Sequence, residues 1–329
     1  MTRARRAVLL TGATGFIGFH IASRLVRDKS LQVICVVRKE YNEDKINALK
    51  GMGITIREGD FLDQALLENI FNDYQVRYVV HLAAMRGAGA GLQEAYKRVN
   101  EKGTEVLLGQ SLKGGVSRFV YCSSVGVYGT IPGELPAGIE TGLKGDNLYH
   151  QSKITAEGLV KKYSARGLNT CIVRPTITYG QGDNGFPATL VDLVKKRHFI
   201  LCARDVRIHL LDVAYLADLI YCLVKKERLY KNTFIAADRD PVLLKDLVNR
   251  IYWQFHGVKY PAYLKMPGFL FDLAALMFKT LKLEKWLVRI LLVSHSWYYD
   301  TSALMEECIE IKPMATEENF LLKMCLSVK

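Results

Sequence analysis

The sequence lacks the cysteine and histidine patterns that mark disulfide-rich and zinc-binding proteins. Its seven cysteines stand singly, with no C-x-x-C pair, and its seven histidines form no H-E-x-x-H motif. Isolated cysteines inside apolar runs such as VICVV are typical of buried thiols in a reducing cytoplasm. We therefore predict a cytoplasmic protein without a metal centre. We expect no secretory signal, because the apolar run after the three N-terminal arginines is short.

Long apolar runs are also missing. The most apolar stretch, residues 267–293, is interrupted by six charged residues, so it offers no window that is long enough to span a bilayer. We interpret this stretch as a substrate lid or as the interface of a homodimer. Contact with a membrane surface is the alternative.

The chain has no excess of acidic residues, and its formal net charge is +12. A high positive charge favours an anionic partner. The basic residues are spread along the chain, however, and no basic cluster is interleaved with aromatic residues as on nucleic-acid-binding surfaces. We predict no nucleic-acid partner. Most of the basic residues belong to a solvated face, and the rest serve an anionic substrate or a membrane surface.

Short, continuous apolar runs alternate with helix-like segments through the first half of the chain. Such runs are typical of strands that are covered on both faces, and their alternation with helices predicts a parallel sheet wrapped by helices. The predicted strands are residues 7–10, 32–37, 54–57, 78–82, 118–121 and 170–173, with a further one at 233–236. The predicted helices include residues 19–28, 65–73, 103–113 and 152–165.

A glycine-rich loop, in VLLTGATGFIGFH at residues 8–20, joins the first predicted strand to the first predicted helix. Its glycines are spaced G-x-x-G-x-x-G, not G-x-G-x-x-G. Such a loop lets the chain turn sharply, brings backbone N–H groups close to a pyrophosphate and packs the helix against the strand. A nucleotide-binding loop is therefore favoured over a plain tight turn. The predicted cofactor contacts in it are Gly12, Thr14, Gly15, Phe16, Ile17 and Gly18.

The ends of the next two strands bear on the choice of nucleotide. A carboxylate at the end of the second strand would hold the ribose 2′-hydroxyl of NAD, but VICVVRKE ends in Arg38. A guanidinium suits a 2′-phosphate, and Lys39 adds charge beside it, so NADP is preferred to NAD; the alternative is that Arg38 faces solvent. Asp60, after the third strand, is suited to accept from an adenine amino group. Asp60 or Asp63 can also act as a helix N-cap.

Tyr149 and Lys153, in YHQSK, are four residues apart on one face of a predicted helix. A phenol has a pKa of about 10, but an adjacent ammonium favours its charged form, so Tyr149 can exchange a proton with a substrate hydroxyl or carbonyl. Lys153 also suits the nicotinamide ribose. In FVYCSSVGVYG, at the end of a predicted strand, a serine hydroxyl can hydrogen-bond the substrate oxygen. We select Ser124 over Ser123, and a cap or turn role is the alternative for either.

These motifs together resemble the extended short-chain dehydrogenase/reductase family, in its NAD(P)-dependent epimerase/dehydratase group. The matching segments follow the family's order through roughly the first 180 residues and are TGATGFIG, GDFLD, HLAA, VNEKGT, SSVGVYG, YHQSK and RPTITYG. The resemblance implies a Ser-Tyr-Lys proton relay with hydride transfer at the nicotinamide, and Asn100 as a support of that relay. It also implies a cofactor lining made by Phe61, Leu82, Ala83, Ala84, Pro175 and Ile177, together with Tyr149 and Lys153.

The predicted fold class is α/β, a Rossmann-like doubly wound parallel sheet with a smaller C-terminal substrate-binding region. We assign residues 1–180 to the NAD(P)-binding Rossmann domain and residues 181–329 to the substrate-binding region. Segments near residues 205–236 are expected to return to the Rossmann domain.

The departures from the family pattern reduce the number of reactions that the resemblance allows. Sugar-nucleotide dehydratases carry acids just after the catalytic serine or threonine, but this sequence has Val125 and Gly126 there, which disfavours a 4,6-dehydratase. Our leading hypothesis is an NADP-preferring oxidoreductase that interconverts a secondary alcohol and a ketone on an apolar substrate, similar to dihydroflavonol reductases and hydroxysteroid dehydrogenase-like members. The alternative is a nucleotide-sugar 4-epimerase that recycles NAD internally, with Arg204 and Arg207 near the phosphates. A third interpretation is a non-catalytic NADP-binding sensor or scaffold.

Overall fold

Seven parallel strands form the central sheet of the computed structural model, which describes residues 5–38, 43–87 and 90–326. In chain order, the strands of this part of the chain are β1 (Arg6–Thr11), β2 (Leu31–Val37), β3 (Thr55–Glu58), β4 (Val76–His81), β5 (Arg118–Cys122), β6 (Thr170–Pro175), β7 (Ile177–Tyr179), β8 (Leu201–Cys202), β9 (Arg207–Ile208), β10 (Leu210–Asp212), β11 (Thr233–Ala236), β12 (Val242–Leu243) and β13 (Lys265–Met266). The order in the central sheet is β11-β6-β5-β4-β1-β2-β3, and every neighbouring pair is parallel. The order reverses between β1 and β4, so the carboxyl ends of these two strands border a crevice.

Helices cover both faces of this sheet. They are α1 (Phe16–Leu25), α2 (Glu43–Gly51), α3 (Gln64–Tyr74), α4 (Gln93–Tyr96), α5 (Gly103–Lys113), α6 (Leu148–Ala165), α7 (Phe186–Lys195), α8 (Val213–Lys225), α9 (Leu244–His256), α10 (Gly268–Thr280), α11 (Glu284–Ser294), α12 (Ser302–Glu307) and α13 (Thr316–Phe320). Successive residues of a strand point to opposite faces. In β1, Val8 and Leu10 accordingly join the core under α1 and α8, while Ala7 and Leu9 join the core under α3, α5 and α6. The predicted doubly wound α/β fold is confirmed.

A third apolar core lies in the C-terminal half of the chain. It contains α7, α9, the short strand pairs and the buried Trp297 and Phe320. Two elements after residue 180 belong to the central layers, because β11 pairs with β6 and α8 packs on α1. Division of the chain at residue 180 stays a prediction. Among the described residues, no helix combines the length and the apolar character needed to cross a bilayer.

Two helices that hold predicted site residues begin earlier than the sequence indicates. Helix α1 begins at Phe16 instead of residue 19, directly after Gly15 as N-cap. Helix α6 begins at Leu148 instead of residue 152, because the side chain of Asn147 caps it by accepting from the His150 backbone nitrogen at 2.9 Å. Tyr149 and Lys153 therefore both lie in the first two turns of α6.

Candidate active site

The glycine loop follows β1, where the strand order of the sheet reverses. Gly12 has a φ of +79°, and a Cβ atom there would come within 2.7 Å of the Ala83 backbone nitrogen. A Cβ atom at Gly18 would lie 2.1 Å from the Gly12 carbonyl oxygen. Both positions therefore require glycine, the first for its backbone conformation and its approach to Ala83, and the second for the close packing of α1 on the loop.

Gly15 leaves the N-terminus of α1 without a side chain to cover it. The first turn of α1 contains no acidic residue, so its backbone N–H groups and the helix dipole suit an anionic group such as a pyrophosphate. The other predicted contacts of this segment, Thr14, Phe16 and Ile17, lie in or next to the same turn. The Thr14 carbonyl oxygen accepts from Lys45 Nζ at 2.9 Å, which adds a cation beside the loop.

A buried hydrogen-bond chain connects β1 with the other side of the crevice. His81 lies in the middle of this chain, with Nδ1 at 2.6 Å from Thr11 Oγ1 and Nε2 at 3.0 Å from Thr104 Oγ1. Thr104 Oγ1 in turn donates to the Asn100 carbonyl oxygen at 2.6 Å. Burial, helped by the charge of Lys153, lowers the pKa of His81 to about 3. The ring is therefore neutral at physiological pH, and it bridges the glycine-loop strand to the helix that holds Asn100.

Asn100 lies in a π-helical turn, Lys97–Lys102, between α4 and α5. Its buried side chain accepts from the Met85 backbone nitrogen at 2.6 Å, and its Nδ2 donates to the Met85 carbonyl oxygen at 3.1 Å and to Ser152 Oγ at 2.9 Å. Asn100 thus ties the loop after β4 to α6, one residue before Lys153. Single π-turns are rare and occur frequently at functional sites, which agrees with the predicted supporting role of Asn100.

Ser124, Tyr149 and Lys153 meet at the carboxyl end of β5. Ser124 Oγ accepts from the Gly126 backbone nitrogen at 3.0 Å, so this serine also has the turn role that we considered as the alternative. Tyr149 is half-buried, and its hydroxyl has a side-chain hydrogen bond with Ser124. Lys153 is buried one turn later, with Nζ donating to the Cys122 carbonyl oxygen at 2.8 Å.

The cation that acts on the Tyr149 phenol in this structure is Arg86. Burial raises the pKa of Tyr149, while the charge of Arg86 and the hydrogen bond from Ser124 act in the opposite direction. Arg86 Cζ lies 5.9 Å from the Tyr149 ring centroid. Lys153 instead donates to the Tyr121 hydroxyl at 3.3 Å. No spacing rule connects the loop after β4 with α6, so Arg86 could not be predicted from the sequence.

The predicted selector of the cofactor, Arg38, is exposed at the carboxyl end of β2. That position is compatible with a contact to the adenosine ribose. Lys39, which also entered the prediction, lies outside the described residues. The preference for NADP over NAD therefore stays a prediction.

The residues after β3 have mainly local roles in this structure. Asp60 Oδ2 lies 3.5 Å from Arg98 Nη2, and Asp63, not Asp60, is the N-cap of α3. The Phe61 side chain is buried at 5.4 Å from the His81 ring. A Cβ atom at Gly103 would meet this phenylalanine ring at 2.6 Å. Any cofactor contact of Phe61 therefore comes from its backbone.

Two buried hydroxyl groups at the strand ends have no hydrogen-bond partner within the part of the chain that the structure describes. They are Ser123 Oγ, after β5, and Thr176 Oγ1, between the predicted contacts Pro175 and Ile177. Buried hydroxyls are normally paired, so a polar group bound between these strand ends would satisfy them. Together with the glycine loop, these hydroxyls fit a dinucleotide that lies across the crevice. The other predicted lining residues, Leu82 to Ala84, are half-buried on the loop after β4, opposite Gly12.

An Asp–His pair beside the relay was also missed. His150 Nδ1 lies 2.5 Å from Asp146 Oδ1. The His150 ring occupies the space in front of Gly126, where a Cβ atom would come within 2.3 Å of it. The motif YHQSK contains this histidine, but only the fold brings it next to Gly126. Neither Val125 nor Gly126 offers a carboxylate to the site, and the ring leaves no room for a side chain at position 126.

A doubly wound parallel sheet, a glycine loop at its reversal point and a tyrosine–lysine pair on an adjoining helix define a dinucleotide-binding protein. The model of the NAD dependent epimerase/dehydratase family matches residues 8–233. The chain belongs to this family, and the prediction of an NAD(P)-dependent enzyme family is confirmed.

Curated relatives include several UDP-glucose 4-epimerases. The enzyme from Erwinia amylovora is 28% identical over 204 residues, which cover 57% of this chain and 60% of the relative. The enzyme from Vibrio cholerae is 30% identical over 256 residues, which cover 75% of each chain. The chain thus spans about three fifths of the length of the Erwinia relative and three quarters of that of the Vibrio one.

Solved structures share the fold over nearly the whole chain. The Bordetella bronchiseptica enzyme WbmH in complex with NAD⁺ has a TM-score of 0.74 at 19% identity, with 97% of both chains covered. UDP-glucose 4-epimerase from Thermotoga maritima with UDP-glucose has a TM-score of 0.73 at 20% identity, again with 97% of both chains covered. At these identities the likeness concerns the fold alone.

Proposed function

We propose that the protein is a nucleotide-sugar 4-epimerase that uses a tightly held NAD. The observation that carries this proposal is the meeting of Ser124, Tyr149 and Lys153 at the carboxyl end of β5, beside a glycine loop suited to a pyrophosphate. The UDP-glucose 4-epimerases among its relatives supply the substrate class, a sugar linked to a nucleoside diphosphate. This is the alternative in our sequence analysis, and the comparisons favour it over the general oxidoreductase.

The residues of the site divide the proton chemistry between them. Tyr149, as phenolate, takes the proton of the sugar hydroxyl while that carbon is oxidised, and it returns the proton when the hydroxyl forms again. Ser124 holds the same oxygen by a hydrogen bond as its charge changes. Lys153 and Asn100 keep α6 and the loop after β4 in position. The nicotinamide, when bound, supplies reversible hydride transfer.

The absence of carboxylates at Val125 and Gly126 supports an epimerase over a dehydratase. Elimination of water from a ketone intermediate needs a second acid or base at the neighbouring carbon. A 4-epimerase needs none, because the hydride and the proton return to the same carbon and oxygen that released them. The position in front of Gly126 is instead filled by the ring of His150.

An NADP-linked alcohol–ketone oxidoreductase is the second candidate. The exposed Arg38 at the end of β2 favours it, because a guanidinium suits a ribose 2′-phosphate. Release of the cofactor after each turnover distinguishes this activity from an epimerase. A non-catalytic sensor would bind the dinucleotide without any turnover.

The test is incubation of the full chain with UDP-glucose, with the UDP-galactose formed measured by NMR. We expect conversion without added cofactor, NAD in the extract of the denatured protein, and a loss of at least about 10²-fold in Tyr149→Phe. Tyr230→Phe, at a tyrosine that is 94% exposed, is the matched control and keeps full activity. Oxidation of added NADPH by ketones, with no conversion of UDP-sugars, would establish the oxidoreductase instead.

A further inference from the structure

Helices α10 and α11 form a hairpin that packs mainly on itself. Only three residues, 281–283, separate the two helices, and the rings of Phe278 and Trp286 lie 6.1 Å apart across them. In α10, only Phe271 is buried. The hairpin, defined as residues 267–294, therefore presents most of its surface outward.

The outward surface of the hairpin is strongly apolar. In α10, Phe269, Leu273 and Leu276 are each about 60% exposed, and their spacing of four and three residues places them on one face of the helix. The exposed stripe continues through Leu281 into Trp286, which is 51% exposed. Contiguous exposed apolar surface of this kind marks an interaction site.

Cations frame this stripe. The exposed charged side chains near the turn and in α11 are Lys279, Lys282, Glu284, Lys285 and Arg289. Arg289 stacks on Trp286, with its Cζ 5.2 Å from the ring centroid. Asp272, the acidic residue of α10, forms a bidentate ion pair with Arg204, in which Arg204 Nη1 donates to Asp272 Oδ1 at 2.9 Å. This arginine was predicted near substrate phosphates, but the structure pairs it with the hairpin.

We propose that the hairpin is a docking surface for a lipid bilayer that contains anionic lipids. The hairpin has both features of such a surface. Its exposed aliphatic residues and tryptophan suit the acyl boundary, and its surplus of lysine and arginine suits the charged headgroups. A second copy of this chain fits less well, because two hairpins face to face would bring their cations together on a protein whose net charge is already +12.

The hairpin turn lies within electrostatic range of Tyr96, whose ring neighbours that of Tyr149. Burial raises the pKa of Tyr96, and the carboxylate of Glu284, at the start of α11, is close enough to add to this shift. The Tyr96 ring is in turn 6.3 Å from the Tyr149 ring. Docking of the hairpin therefore places this side of the protein against the membrane surface.

The test is flotation of the full chain with phosphatidylcholine vesicles, with and without roughly 30% phosphatidylglycerol as the anionic lipid. We expect binding to the anionic vesicles that weakens as salt is raised, and a blue shift of tryptophan emission that is lost in Trp286→Phe. Leu273→Ser combined with Leu276→Ser should lower the bound fraction at least about tenfold, since each removes an apolar group from the bilayer.

Two matched control variants test whether vesicle binding depends on the hairpin itself. Ile309→Ser removes an isoleucine that is 82% exposed outside the hairpin and should leave binding unchanged. Lys279→Glu with Lys285→Glu should abolish the preference for anionic lipid, whereas Lys161→Glu with Lys162→Glu, on α6, should retain most of it. Absence of binding to either vesicle, equal loss in the controls, or a dimer that the leucine double variant dissociates would overturn the proposal. None of these readouts depends on epimerase activity.

Discussion

At the residue scale, the reactivity of Tyr149 depends on two opposing influences. Burial raises the pKa of its phenol, and the charge of Arg86, 5.9 Å from the ring, lowers it. Arg86 is itself exposed, so solvent screens its effect. A cation at this distance in a partly solvated site still contributes roughly 1 kcal/mol, which is enough to change the population of phenolate at neutral pH.

Replacement of this cation should therefore slow catalysis at neutral pH. In Arg86→Leu, the pKa of Tyr149 rises further, so the ascending limb of the kcat/KM profile moves to higher pH. We expect a loss of about fivefold at pH 7, recovered in part at pH 9. Arg228→Leu, at an exposed arginine in the loop after α8, is the control. Equal losses at pH 7 and pH 9 would show that Arg86 acts on substrate binding and not on Tyr149.

His81 gives a second prediction at this scale, in the pH dependence of stability. Its pKa is about 3 in the folded protein, because of burial and the charge of Lys153, against about 6.5 when unfolded. The unfolded state therefore binds more protons between these values, and stability falls as pH decreases through this window. From pH 7 to pH 5 the loss due to His81 is roughly 2 kcal/mol.

Urea unfolding at pH 7 and pH 5 measures this effect. His81→Gln should be less stable at pH 7, because the chain from Thr11 to Thr104 is interrupted, but it should lose about 2 kcal/mol less than the wild type on acidification. His198→Gln is a matched control at an exposed histidine. Identical acid sensitivity in wild type and His81→Gln would show that other groups dominate.

At the scale of elements, the turn from β1 into α1 depends on close packing that only glycine allows. The carbonyl oxygen of Gly12 lies where a Cβ atom at Gly18 would be, so α1 can approach β1 only with glycine there. The α6 helix contains a contrasting glycine, Gly158, whose Cβ position is open.

Alanine substitutions at these two glycines should have opposite effects. Gly18→Ala pushes α1 away from the loop, so we expect dinucleotide affinity to fall at least about tenfold and the melting temperature to drop. Gly158→Ala should stabilise the protein by about 0.5–1 kcal/mol, since glycine is a poor residue for a helix interior, and leave affinity unchanged. Calorimetric titration of the cofactor-free protein with NAD and thermal unfolding measure both. Normal affinity in Gly18→Ala would remove the glycine loop from the proposed site.

At the scale of the whole molecule, residues near the C-terminus pack against elements that the first 240 residues form. Thr316 donates to Asp238 Oδ2 at 2.8 Å, and Lys323 Nζ is hydrogen-bonded to Asp212. Phe320 is fully buried, with its ring 5.2 Å from that of Tyr179. Asp212 ends β10 and Asp238 follows β11, so these contacts anchor residues 316–323 to the sheet region.

Phe320→Ala should therefore destabilise the whole protein. Removal of a fully buried phenylalanine costs about 3–5 kcal/mol through lost burial and the cavity left behind. Leu322→Ala, two residues further along and 58% exposed, should change stability by less than about 0.5 kcal/mol. Denaturant unfolding followed by circular dichroism compares the two. A small effect of Phe320→Ala would mean that this segment is not part of the cooperative unit.

Much of the first half of this molecule could be predicted from residue patterns because its signals are local. The strand at 32–37 and the helix at 103–113 agree with β2 and α5 within a residue, since apolar runs and helix spacing are short-range features. The starts of α1 and α6 were misplaced, because Gly15 and Asn147 act as caps that apolar periodicity does not reveal. Arg86 could not be predicted because its partner, Tyr149, is distant in sequence. Asp146 and His150 are only four residues apart, but their spacing does not indicate that the His150 ring faces Gly126.

The sequence by itself determined the sheet, the glycine loop and the family, since these depend on residue order over short segments. Only the tertiary structure decided which cation lies beside Tyr149, that the His150 ring fills the space at Gly126, and that residues 267–294 turn their apolar face outward. The physical reason is that charge, packing and exposure depend on neighbours in space. Such neighbours come from loops and helices that no periodicity in the sequence connects.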